Sequence, residues 1–82
     1  MSASDVRPLS ALARGARGRV IRVTRDLTVR AERLAALGVS PGATIRVLQT
    51  FPGIVFECDQ TELAVERHVA GTIWIELEIA TD

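Results

Sequence analysis

Eighty-two residues, 48% hydrophobic and 24% charged, make one small domain with enough apolar content for a core of its own. Ten basic and ten acidic residues cancel to a net charge of +0, which removes the basic footprint of a nucleic-acid-binding domain. Two Phe, one Trp and no Tyr also leave almost no aromatic platform on which single-stranded nucleic acid could stack.

The charges are unevenly spread. Arg7, Arg14, Arg17, Arg19, Arg22, Arg25, Arg30 and Arg33 crowd the first part of the chain, whereas Glu57, Asp59, Glu62, Glu66, Glu76, Glu78 and Asp82 dominate the last. In a small neutral domain this asymmetry points to internal complementarity before it points to a bound polyanion. A single cysteine, Cys58, excludes an internal disulfide and suits a reducing compartment. The opening MSASDVRPLS lacks the apolar segment of a secretory signal, and no apolar run approaches the roughly 18 residues of a membrane span. A cytoplasmic domain is expected.

Residues 1–8 are small and polar, and read as a flexible arm closed by Pro8. Leu9 and Leu12, three apart, suit one helical turn before Gly15 and Gly18. The β-branched run Arg19 to Thr24 predicts a first strand, with Val20 and Val23 split by a twist or bulge. A helix follows. Asp26 or Thr28 can cap it, and Leu27, Ala31, Leu34, Ala35 and Leu37 form its apolar stripe. Gly38 sits where a left-handed residue ends a helix, and Ser40-Pro41-Gly42-Ala43 has the signature of a type II turn.

Alternation then predicts strands over ATIRVLQT, with Ile45 and Val47 inward, and over IVFEC, with Ile54, Phe56 and Cys58 inward. Phe51-Pro52-Gly53 makes the turn between them, and Asp59-Gln60 turns the chain into a strand with Leu63 and Val65 inward. RHVAG (67–71) is too short for more than a single 3₁₀ turn. In the last strand Ile73, Ile75, Leu77 and Ile79 share one face, and Thr72, Trp74, Glu76 and Glu78 the other. About five short strands and one short α-helix after the first of them predict a mainly β fold, a small barrel or sandwich, over residues 9–79, with 80–82 as a tail.

Nothing in the pattern assembles an enzyme. Cys58 falls on an inward face, His68 is the only imidazole, and no CxxC or HxxxH spacing supplies a zinc site. No glycine-rich loop can cradle a phosphate. The expectation is a non-enzymatic domain without a resident cofactor. Weak candidates for a divalent ion such as Fe(II) are Glu57, Glu62, Glu66 and His68, set against the plainer reading of carboxylates on a solvated face. Trp74, placed outward by alternation with Leu48 and Val55 on the same outer side, has the composition of a partner anchor. The helix or the N-terminal arm could instead cover it.

The order LSALARGARGRVIRV, AERLAALGVSPGATIRVL, GIVFECDQTELAVE and IWIEL resembles the FeoA family over roughly residues 9–77. Arg33-Leu34, Leu37-Gly38 and Pro41-Gly42 match its central RL-x-x-LG-x-x-PG segment position by position. The resemblance implies an SH3-like barrel of about five strands with a helix inserted after the first. It also implies a small cytoplasmic protein that binds the ferrous-iron transporter FeoB and modulates Fe(II) uptake, with no role for nucleic acid or membrane insertion. The alternative it carries is a divalent-metal-binding regulatory domain of the kind attached to DtxR-type repressors. Two departures stand out: Arg67 falls one place later than the family's basic residue, and the loop QTFPGI (49–54) is short.

Overall fold

The structure is a computed structural model that describes residues 5–24 and 31–78. The proposed caps Asp26 and Thr28, the stripe residue Leu27, the first residues of the arm, Ile79 and the tail 80–82 lie outside the described residues.

Six antiparallel strands form one sheet: β1 (Val6–Pro8), β2 (Arg17–Val23), β3 (Thr44–Gln49), β4 (Ile54–Cys58), β5 (Thr61–Val65) and β6 (Ile73–Leu77). Their spatial order is β1-β6-β2-β3-β4-β5. A 3₁₀ turn (Leu9–Ala11) follows β1, and two short helices, α1 (Ala31–Ala36) and α2 (Arg67–Ala70), precede β3 and β6.

Three expectations need correction. Residues 6–8, read as arm, are a sixth strand: Val6, Arg7 and Pro8 pair with Glu76, Ile75 and Trp74 of β6. Three residues carry too little alternation to announce a strand, and here the long β6 supplies the template. Because of β1, the helix follows the second strand of the fold, and RHVAG adds a second helix of four residues. The sheet is also open where a barrel was expected, since its end strands β1 and β5 are not paired with each other.

The core lies on one face. Val20, Ile45, Val47, Ile54, Phe56, Cys58, Ile73 and Ile75 converge there with Leu9, Leu12, Leu34, Val39 and Ala70, all buried in one cluster. Two irregularities bend the sheet around it. Ile21 is an extra residue in β2 opposite β6, and Leu48 an extra residue in β3 opposite β4. Such bulges increase local twist, and the one at Ile21 is the split expected between Val20 and Val23.

The join between α1 and β3 follows from its sequence. Gly38 has φ +96, the Gly38 N–H donates to the carbonyl of Ala35 at 3.0 Å, and the Val39 N–H reaches back to Leu34 O at 2.9 Å. This paired closure is a Schellman motif, whose usual apolar contact joins the two residues corresponding to Leu34 and Val39. Both are buried, at 5% and 1% exposure. Leu37, expected in the stripe, is 49% exposed instead. It caps the helix at the point where the chain turns away, so Val39 takes the core position. The Ala43 N–H donates to Ser40 O at 3.0 Å across Pro41-Gly42, closing the expected type II turn.

Candidate functional site

Trp74 sits between two neighbours in the sheet, Pro8 of β1 and Arg22 of β2. It is half-buried, and the Arg22 guanidinium carbon lies 5.1 Å from its ring centroid, a cation–π distance. Its indole N–H is buried with no hydrogen-bond partner among the described residues. The N-terminal segment therefore lies alongside Trp74.

Leu48 and Val55 occupy a different part of the sheet. Val55 registers with Gln49, immediately after the Leu48 bulge, so the two apolar residues are neighbours on the outer side of β3 and β4. The backbone of Val47 bonds to Gly15 and Ala16, whereas Trp74 registers with Arg22. Those two points of the β2 region are roughly 20 Å apart at strand rise. The structure joins Leu48 with Val55 and places Trp74 elsewhere.

Among the described residues, the most exposed large apolar side chain is one that alternation passed over. Phe51 is 80% exposed in the loop between β3 and β4. The loop passes through a cis Phe51–Pro52 bond, and Arg67 at the start of α2 donates from its guanidinium to the Thr50 carbonyl. The loop lies close to β5 at Gly53, where an added Cβ would meet Val65 O at 3.4 Å, about an ordinary contact. The sequence signal was an aromatic residue inside a Pro-Gly turn, where no strand requires one.

The acidic candidates divide in two. Glu57 and Glu62 register directly across β4 and β5, and Glu57 also reaches Arg46 of β3 at 3.9 Å. Glu66 and His68 flank the start of α2, with His68 Nδ1 3.5 Å from the Glu66 carboxylate. Among the described residues no three His, Cys, Asp or Glu side chains come together as a metal-binding group.

Across the outer face the register writes a row of charges. Glu62 of β5, Glu57 of β4, Arg46 of β3 and Arg17 of β2 are successive partners, and the Glu78 N–H bonds to Arg17 O. The neighbouring row runs from Asp59, accepting from the Thr44 hydroxyl at 3.1 Å, to Arg19, which bridges to Glu76 at 3.1 Å. Arg17, Thr44, Arg46, Glu57 and Glu78 line a shallow groove between the rows. Arg19 of the arginine-rich first part thus meets Glu76 of the acidic last part on the sheet, one instance of the internal complementarity that the uneven charge suggested. Cys58 is buried beneath this face, with its thiol 3.4 Å from Gly38 O. Burial, and secondarily the charge of Asp59, raises its pKa above the usual thiol value.

Together these features define a small SH3-like β-domain with a charged outer face and an aromatic-tipped loop. Among the described residues no helix is long and apolar enough to cross a membrane. The chain belongs to the FeoA family: the model for the FeoA domain matches residues 7–77. No curated protein matches the sequence. Among solved structures, the chain is similar to the crystal structure of an iron uptake regulatory protein (FeoA), at 27% identity and TM-score 0.81, covering 90% of this chain and 99% of that one. It is also similar to the FeoA protein from Chlorobium tepidum, at 31% identity and TM-score 0.79, covering 92% and 73%. The same fold occurs in a manganese-dependent transcriptional repressor, at 24% identity and TM-score 0.81, covering 95% of this chain but 45% of the repressor.

Proposed function

We propose that this chain is a non-catalytic cytoplasmic protein that binds the cytoplasmic part of the ferrous-iron transporter FeoB and modulates Fe(II) uptake. Membership of the FeoA family across residues 7–77 gives the setting, and the observation that carries the reading is Phe51. An aromatic side chain 80% exposed on a loop anchored by Arg67 has the residue type and the held geometry of an interface anchor. Binding changes transport only as far as this domain prefers one conformation of the transporter over another.

The alternative, a divalent-metal-binding regulatory domain, draws on Glu57, Glu62, Glu66 and His68. Their division into two separate pairs gives it no supporting observation.

The test is a calorimetric titration of the full chain into the GTP-binding domain of FeoB, with GDP and with a GTP analogue. Saturable binding is expected, weakened about tenfold by Phe51→Ala, as for an aromatic anchor truncated at an interface. No binding in either nucleotide state overturns the reading.

A further inference from the structure

We propose that the outer face of β3 and β4 is self-complementary and receives a second copy of this chain, about a two-fold axis running along the strands between them. The basis is the order of charges across the sheet: Glu62, Glu57, Arg46, Arg17, one per strand from β5 to β2. Two negative charges are followed by two positive ones. Rotation about an axis between β3 and β4 reverses this order, so each charge meets its opposite. Arg46 then lies against the partner's Glu57, and Arg17 against the partner's Glu62. Glu78, the next position beyond Arg17, passes outside the edge of the second copy.

The same rotation pairs the apolar positions. Val55 on β4 lies opposite the β3 bulge formed by Leu48 and Gln49, so the rotation brings this bulge, Leu48 included, against the partner's Val55. One operation thus satisfies both charge and hydrophobicity, the requirement of an isologous interface.

The isolated chain leaves this row unbalanced. Arg17 beside Arg46, and Glu57 beside Glu62, are like charges directly across strands, an arrangement that is unfavourable by itself. The one favourable contact within the row, Arg46 to Glu57, spans 3.9 Å with both side chains nearly half exposed. Arg17 and Glu62 have no ion-pair partner among the described residues, and both are exposed. A net charge of +0 adds no long-range repulsion between copies.

Charge reversal tests the geometry. Sedimentation equilibrium of the full chain in low salt should show a monomer–dimer equilibrium that weakens as salt is added. Arg17→Glu and Glu62→Arg, which do not touch each other within one chain, should each raise the dimer dissociation constant about tenfold or more, because like charges then face each other twice. Mixed in equal amounts, the two variants should recover wild-type association, since both contacts in the mixed dimer are opposite in sign. Circular dichroism confirms that each variant folds. A monomer at every concentration up to about 1 mM, where association is negligible, overturns the proposal. So does a dimer indifferent to both reversals, or one that forms only with added Mn²⁺ and is lost with EDTA.

Discussion

The guanidinium of Arg67 donates a hydrogen bond to the backbone carbonyl of Thr50, tying the first turn of α2 to the loop that carries Phe51. The position sits next to where the family pattern places its basic residue, and its role here is mechanical: a long side chain steadies a short loop. Arg67→Ala should lower global stability by only about 0.5–1 kcal/mol, the range for an exposed charge-assisted bond. It should raise amide hydrogen exchange at Thr50, Phe51 and Gly53 while β2 and β6 keep their protection. Exchange spread evenly over the sheet would mean that Arg67 holds more than the loop. Phe51→Ala should change stability by less than about 0.5 kcal/mol, because little of the side chain is packed.

At Gly18 of β2 the backbone and side chains of β6 leave no room for a Cβ. It would collide with the Glu76 carbonyl oxygen and with the buried Ile75 side chain, both on β6. Gly18→Ala should therefore force the strands apart and lose about 2 kcal/mol, or roughly 10 °C in Tm. Thermal melts followed by circular dichroism check this. An unchanged Tm would show that β6 can shift without loss.

Cys58 makes stability depend on alkaline pH. Its thiol is held above its ordinary pKa by burial first and Asp59 second, so the folded protein retains a proton that the unfolded chain releases. Stability is then constant below the thiol pKa of the unfolded chain and falls as pH rises through it. Melts from neutral to about pH 10 should show a decline that Cys58→Val removes. Equal slopes for the two proteins would reject the assignment.

Much of this fold is legible from local pattern. The turn residues Gly38, Pro41 and Gly42 are specified by backbone chemistry, and the alternation of β3, β4 and β6 gives their buried faces directly. Asp59 and Gln60, with φ of +48 and +74, turn the chain as a two-residue hairpin where expected. What escaped is what depends on partners in space. β1 has three residues and becomes a strand only beside β6. Leu37 leaves its expected place in the core, and Val39 fills it, because the helix stops one residue before Leu37. The charged row could not be read from the sequence, because it requires the register of four strands. A shift of one residue in any of them would break it. Phe51 was hidden by its setting, since a turn explains Pro52 and Gly53 and leaves the Phe unexplained.

The pairing of β1 with β6 has one more consequence. The Leu77 N–H bonds to Asp5 O at 2.8 Å, so the chain enters and leaves the sheet side by side at one edge. A polypeptide can therefore pass through this unit and continue with almost no detour, leaving β3, β4 and the Phe51 loop, on the far side of β2, unencumbered. The domain is wired like a plug-in unit, with Asp5 and Leu77 side by side at one edge and the Phe51 loop away from them between β3 and β4. The same architecture makes up 99% of the chain of one similar structure and 45% of a longer repressor.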